Sequence, residues 1–275
     1  MRSFCGKVRD LLVNFFRPIP NQIPVMIPVL QSELLKDRTA LITGGTRGVG
    51  YAIAEAFARA GARVTITGRD KDRLEVAVDK LKRNGSRVDG VVLDITNVSS
   101  IVAAMEAMSQ FDILVNNAGY VGGGNFGDTC EEGYDLVLDT NLKGHYFLSQ
   151  AVAKKWMAQG VRGNILNVCS ASSLRPGTSP YILSKWGLRA LTVGMAKKLI
   201  KHGIVVNGIA PGVTNTDQFT GGEKGISKSS NPSGRMVTKE EVANMSTILV
   251  SPLCRMVVGD ILFMTGGAGV VTLDD

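Results

Sequence analysis

Short apolar runs alternate with longer amphipathic stretches from Thr39 onward. TALIT (39–43), RVTIT (63–67), VDGVVLD (88–94), ILVNNAG (113–119), NILNVCS (164–170), IVVNGIAPG (204–212) and ILFMTGG (261–267) each read as one strand. Stretches of ten or more residues with helical spacing separate most of them. Asp70 is placed to cap the helix around Arg73–Arg83, and Gly85 to end it. Strand–helix alternation of this length predicts a single α/β domain over residues 36–275. Its core is a doubly wound, seven-stranded parallel sheet with helices on both faces.

Residues 1–35 break the pattern. Phe4, Val8, Leu11, Leu12, Phe15 and Phe16 recur at helical spacing, and Pro18, Pro20, Pro24 and Pro28 then favour an extended path. This N-terminal extension suits either packing on its own domain or a neighbouring subunit, or lying on a membrane surface. No apolar run reaches the length of a membrane span.

The first strand ends in TGGTRGVG and a helix follows, the context in which a glycine turn cradles a pyrophosphate. Gly44 allows the sharp turn, and Gly48 and Gly50 allow close approach of backbone and helix to the phosphates. Thr46, Arg47 and Val49 complete the loop. The second strand ends in Thr67-Gly68-Arg69, where a free ribose 2′-hydroxyl would be met by a carboxylate. Arg69 and Arg47 instead suit a 2′-phosphate, so the expected cofactor is NADP(H).

Tyr181 and Lys185 are four apart, on one face of a predicted helix. A free tyrosine loses its proton at a pH of ~10, and bringing that to ~7 requires roughly 4 kcal/mol in favour of the phenolate. An adjacent ammonium in a water-poor site supplies energy of that order. Ser170 ends the fifth strand and is the preferred partner, with Ser172 and Ser173 as rivals by residue type. Asn141 falls inside a predicted helix where its propensity is poor, which calls for a functional reason or a kink.

Taken in order, TGGTRGVG, LDIT (93–96), NNAG (116–119), TNLKG (140–144), NVCS (167–170), YILSK (181–185) and APG (210–212) resemble the short-chain dehydrogenase/reductase family over about residues 36–269. The resemblance implies a Rossmann fold and hydride transfer between a nicotinamide and a carbonyl or secondary alcohol. Tyr181 then matches the acid/base, and Lys185 the lysine that eases its proton loss and holds the nicotinamide ribose. Ser170 matches the donor to the substrate oxygen, and Asn141 the asparagine that holds a relay water. Asp94 and Ile95 match adenine contacts. Asn117, Ala118 and Gly119 line the cofactor, and Pro211, Gly212, Thr214 and Thr216 match the nicotinamide end. Two departures stand out: only ten residues separate Ser170 from Tyr181, and TGG (265–267) replaces an acidic-Gly-Gly. The resemblance also implies a homo-oligomer, a dimer or tetramer packed through helices around 142–159 and 181–202. Likeness to 3-oxoacyl thioester reductases is generic. The rival from another class is a non-catalytic NADP(H) sensor or scaffold, which would be expected to lose the serine, tyrosine or lysine.

Composition narrows the alternatives. The formal charge of +7 is spread along the chain without a dense basic run, which fits a solvated surface rather than a nucleic-acid interface. Cys5, Cys130, Cys169 and Cys254 show no paired spacing, so neither a zinc site nor a disulfide framework is expected, and a reducing, cytoplasmic setting fits. His145 and His202 lack nearby partner ligands in sequence. One is expected buried or interfacial and the other on the surface.

Overall fold

The computed structural model describes residues 31–215 and 231–270. The extension over residues 1–30, Thr216 and most of the glycine-rich 221–234 segment, including Lys224 and Lys228, lie outside the described residues.

Seven parallel strands form one sheet: β1 (Thr39–Ile42), β2 (Arg63–Gly68), β3 (Val88–Val92), β4 (Ile113–Asn116), β5 (Asn164–Val168), β6 (Val205–Pro211) and, last in the chain, β9 (Ile261–Met264). Their spatial order is β3-β2-β1-β4-β5-β6-β9. This is the predicted doubly wound Rossmann arrangement, with its strand order reversing between β1 and β4. The helices are α1 (Gly48–Arg59), α2 (Lys71–Arg83), α3 (Val98–Ala107), α4 (Glu131–Leu138), α5 (Gly144–Gln159), α6 (Pro180–Leu199) and α7 (Lys239–Val250).

Alternation along the strands builds two cores. Ile42, Val64, Ile66, Ile113 and Val115 face Ile53 and Phe57 of α1, Leu81 of α2 and Val242 of α7. Leu41, Leu114, Ile165 and Val206 face Ile101 of α3 and Leu148, Val152 and Trp156 of α5. With both faces covered, each central strand reads as an apolar run.

Polar side chains also cross the sheet in a buried line. Asn116 Nδ2 donates to Asn167 Oδ1 and to Ser149 Oγ, both at 2.8 Å, and Asn167 Nδ2 donates to Thr192 Oγ1 at 2.8 Å. These bonds pin β4 to β5, α5 and α6 in one register.

Helix starts follow local chemistry. Asp70 accepts from the Arg73 N–H, Asn97 from Ser100 and Ser179 from Ile182, with Pro180 in the first turn of α6. Thr238 and Glu241 form a reciprocal capping box on α7. Gly85 takes φ +78° just past α2, as its place in the sequence predicts.

One feature is absent from the sequence reading, and the TGG departure from the family pattern finds a packing role. A short parallel ribbon pairs β7 (Thr214–Asn215) with β8 (Val237–Thr238) across the 221–234 segment. The TGG at 265–267 anchors the return of that segment: Asn231 Nδ2 donates to the Thr265 carbonyl at 3.0 Å, and Ser233 N–H to the Gly266 carbonyl at 2.9 Å.

Packing makes two glycines opposite in their tolerance. A Cβ on Gly50 would lie 2.3 Å from Asn117 Nδ2 and 2.4 Å from the Gly44 carbonyl, whereas one on Gly194, on the exposed face of α6, would meet nothing within 4 Å. Gly50→Ala is therefore expected to cost about 3 kcal/mol through overpacking, and Gly194→Ala to leave stability unchanged or raise it by up to about 1 kcal/mol. Urea unfolding of both variants checks the contrast.

Candidate active site

The motif residues converge at the carboxyl ends of the strands, around the point where the strand order reverses. Ligands bind there in open α/β sheets. The glycine turn leaves β1 with Gly44 at φ +64° and Gly48 at φ +59°. Asn117 holds it in shape: its side-chain amide donates to the Thr43 carbonyl at 2.9 Å and the Gly44 carbonyl at 3.1 Å. The Thr43 hydroxyl accepts the main-chain N–H groups of Asn117 and Ala118, each at 3.0 Å. The Asn117 side-chain N–H groups thus hold the turn in shape. Gly50 serves the same junction, packing helix to turn.

The start of α1 is left open. Arg47 occupies the cap position in extended conformation and its side chain makes no capping bond, unlike the caps of α2, α3, α6 and α7. The first-turn N–H groups and the helix dipole there are free to meet an anion. Arg47 and Arg69 are both exposed at this end. Gly68 has a steric reason as well as an electrostatic one: a Cβ there would come within 2.7 Å of Thr46 Cγ2. Val49 packs against the core. These residues fit a nucleotide carrying an additional phosphate: an uncapped helix start, a tight turn and two exposed guanidiniums.

Next along the edge, Asp94 Oδ1 accepts the Thr96 N–H and hydroxyl at 3.0 and 2.8 Å, closing a tight turn. Ile95 has its side chain in the core, so only its main chain faces the edge. Pro211 ends β6. The Gly212 N–H donates to Met264, and the buried Thr214 hydroxyl donates to the Gly212 carbonyl at 3.0 Å. Arg235 is paired with Glu241 at 2.6 Å. The Glu241 carboxyl is held down to about 2, first by the Arg235 hydrogen bond and then by the Thr238 N–H.

On the other side of the cleft, α6 carries Tyr181 and Lys185. The Lys185 ammonium is buried, donates to the Val168 carbonyl at 3.0 Å, and lies 5.8 Å from the centre of the Tyr181 ring. Ser170 lies two residues past the end of β5. Its hydroxyl oxygen accepts the Ser172 N–H at 3.1 Å, which leaves its own proton to give. Ser173 is fully buried and its hydroxyl is spent on the Ser170 carbonyl at 2.7 Å, which removes one rival for the serine role. Cys169 is buried and its thiol is pushed up, chiefly by burial, so it is no nucleophile.

Asn141 sits in a π-helical turn, Asp139–Lys143, where the Gly144 N–H reaches back five residues to the Asp139 carbonyl. Such widened turns concentrate at functional sites. The poor helix propensity of Asn141 marked the place, and the turn is the physical answer. Its side chain accepts the Tyr120 N–H at 2.8 Å and donates to the Tyr120 carbonyl at 2.9 Å and to Ser184 Oγ at 3.1 Å. The Ser184 hydroxyl in turn donates to the Tyr181 carbonyl at 2.7 Å.

With this geometry in place, the comparisons can be read. Residues 38–226 match the family described as short chain dehydrogenase. The gluconate 5-dehydrogenase of Gluconobacter oxydans is 34% identical over 245 residues, covering 85% of this chain and 95% of that protein. A 3-oxoacyl-acyl-carrier-protein reductase of Vibrio cholerae is 33% identical over 242 residues, covering 85% of this chain and 98% of that protein. Among solved structures, a gluconate 5-dehydrogenase from Burkholderia cenocepacia, in complex with NADP and tartrate, superposes with a TM-score of 0.80 at 30% identity, covering 88% of this chain and 99% of that one. The protein belongs to the short chain dehydrogenase family.

One residue at this site carried no functional reading in the sequence. His145 is fully buried, while His202 is exposed, the division expected for the two histidines. The imidazole is held down to about 3, first by burial and then by the Lys185 charge, while the Ala118 and Asn141 backbones pull weakly the other way. An unfolded histidine protonates near 6.5, so the unfolded state gains protons first as pH falls. His145 therefore contributes no penalty above pH 6.5 and destabilises the fold progressively between 6.5 and about 3. At pH 5 the expected cost is about 2 kcal/mol. Urea midpoints at pH 7.5 and 5 should drop further for the native protein than for His145→Val.

Proposed function

We propose that the protein is an NADP(H)-dependent oxidoreductase that interconverts a ketone and a secondary alcohol. The observation that carries this reading is the buried Lys185 ammonium beside Tyr181, with Ser170 at the end of the adjacent strand. The bound nicotinamide supplies or accepts the hydride. Tyr181 and Ser170 donate hydrogen bonds to the substrate oxygen as negative charge grows there in reduction, and Tyr181 passes its proton to it. Lys185 stabilises the resulting phenolate and, with an N–H to spare, binds the ribose. Asn141 sets the spacing of the cleft by tying the loop after β4 to α6. Arg47, Arg69 and the open end of α1 hold the adenosine 2′-phosphate and the pyrophosphate. Asp94 and the main chain of Ile95 border the adenine, Ala118 and Gly119 the nucleotide's inner face, and Pro211, Gly212, Thr214 and Thr216 the nicotinamide.

A silent sensor would have no use for this set: serine, tyrosine, lysine and asparagine are all present and mutually arranged. Tyr181→Phe is expected to reduce turnover at least about a thousandfold while NADPH fluorescence titration still shows binding. Activity retained in that variant would overturn the proposed mechanism. Arg69→Ala should raise KM for NADPH about tenfold and leave NADH within about twofold, because only the former loses a charge-assisted contact.

The relatives' named activities span sugar acids and acyl thioesters, so the substrate is best found by following NADPH oxidation against keto-sugars, 3-oxoacyl thioesters, steroids and simple ketones. For assembly we propose a homo-oligomer, a dimer or tetramer. Leu138, Leu142, Tyr146, Phe147 and Leu191 line an apolar groove between α4, α5 and α6, with Tyr146 exposed on it. Light scattering should give a multiple of the 29.3 kDa chain mass, falling to the single-chain value in Tyr146→Asp. Among the described residues no helix is long and apolar enough to cross a membrane.

A further inference from the structure

Four segments wall the part of the cleft that holds Ser170 and Tyr181. They are residues 117–127 after β4, 170–181 between β5 and α6, 211–215 at the end of β6, and 264–270 at the end of β9. Their side chains include a single charged group, Arg175. It stands midway along the ten-residue loop between Ser170 and Tyr181. Arg175 is exposed, and among the described residues its guanidinium has no carboxylate partner and donates no hydrogen bond. Two other arginines are committed elsewhere: Arg189 donates to the Ser173 carbonyl at 2.7 Å, and Arg235 pairs with Glu241.

The main chain under Arg175 is fastened. Its carbonyl accepts the Trp186 indole N–H at 2.9 Å, and Pro176 restricts the turn that follows. The Arg189 guanidinium lies 5.3 Å from the ring centres of both Trp186 and Phe263, which ties this loop to α6 and β9. The Arg175 side chain runs to the turn after β9: a Cβ on Gly269 would lie 3.2 Å from its Nε and 3.5 Å from its Nη2. That turn closes through the Ala268 N–H on the Thr265 carbonyl and the Val270 N–H on the Gly267 carbonyl. Thr265 in turn backs onto Gly212, where a Cβ would lie 3.3 Å from the Thr265 Cα. The guanidinium therefore bridges the Ser170 loop and the turn that flanks Gly212, on two supports that are both held in place.

We propose that Arg175 is a specificity-determining residue that binds a carboxylate of the substrate, so that the carbonyl compounds this protein reduces are oxo acids. A guanidinium presents parallel N–H groups that match the two oxygens of a carboxylate. One cation balances one carboxylate, whereas a phosphate dianion would call for a second, and the four segments hold none. Because the loop is already ordered, aiming the fork at a ligand costs little further entropy. A substrate held this way has its carboxylate on Arg175 and its carbonyl oxygen at Ser170 and Tyr181. The catalytic consequence rests on the oxidoreductase reading, and the contact with an anion does not.

The test compares 2-, 3-, 4- and 5-oxohexanoate with their methyl esters, which keep the shape and lose the charge, by following NADPH oxidation. For the best acid, kcat/KM should exceed that of its ester at least about tenfold. In Arg175→Ala the acid-to-ester ratio should fall about thirtyfold, the worth of a charge-assisted contact. Arg175→Lys, which keeps the charge without the fork, should give a ratio between the two. A native ratio of one or less, or the same ratio in native protein and Arg175→Ala, overturns the proposal. NADPH fluorescence titration shows whether Arg175→Ala is folded; if it is not, the native ratio and Arg175→Lys decide. A protein that reduces neither acids nor esters nor any other ketone refutes the oxidoreductase reading instead. Calorimetric titration of hexanoate into the NADPH-loaded protein then decides the contact. Binding weakened at least about fivefold in Arg175→Lys supports it, and equal or absent binding overturns it.

Discussion

The amide of Asn141 joins three pieces of chain that are otherwise free to drift apart. It takes both the N–H and the carbonyl of Tyr120, just beyond the NNAG motif, and reaches Ser184 on the helix that carries Tyr181 and Lys185. The nucleotide-facing loop and the proton-transfer helix are therefore spaced by one planar group. An asparagine suits this because its amide offers donor and acceptor in fixed geometry. Aspartate would lose the donor, and leucine would leave the Tyr120 main chain unpaired in a half-buried place. The π-helical turn follows from the same demand. A regular helix would carry residue 141 at a different angle, and the extra residue per turn re-aims it without breaking the run into α5.

A second layer of buried polar bonds supports that clamp. Asn116, Asn167 and Thr192 link β4, β5 and α6 through side chains within the core. Such a line costs desolvation and returns little net stability, but it permits only one register. Lys185 depends on that register, since its ammonium bonds the Val168 carbonyl at the end of β5. One residue of slip would offer it a different carbonyl and move Ser170 away from Tyr181. On this view the apolar cores make the fold stable, and the polar line gives the site its accuracy.

What the sequence made legible was whatever depends on local chemistry or on period. Seven apolar runs mapped onto seven strands of the sheet, and Asp70 and Gly85 bounded α2 as their types require. What it did not show depends on neighbours remote in the chain. The β7–β8 ribbon is two residues long on each side and joins 214 to 237, too short for any periodic signal. Gly68 read as the absence of an acid, but it is also the absence of any side chain against Thr46. Asn117 read as lining the cofactor, and its side-chain N–H groups also brace the glycine turn. At Gly68 and Asn117 the residue type was noticed, and the reason for it lay more than twenty residues away.

His145 shows the same limit at its sharpest. In sequence it is one histidine without a second ligand nearby, and a filled core position is the economical reading. In the fold it is a fully buried polar ring bordered by the main chains of Ala118 and Asn141. An apolar residue would fill the same volume without the acid sensitivity that the depressed imidazole confers. A side chain that makes the protein less stable at low pH is most simply understood if its nitrogen is wanted where it stands.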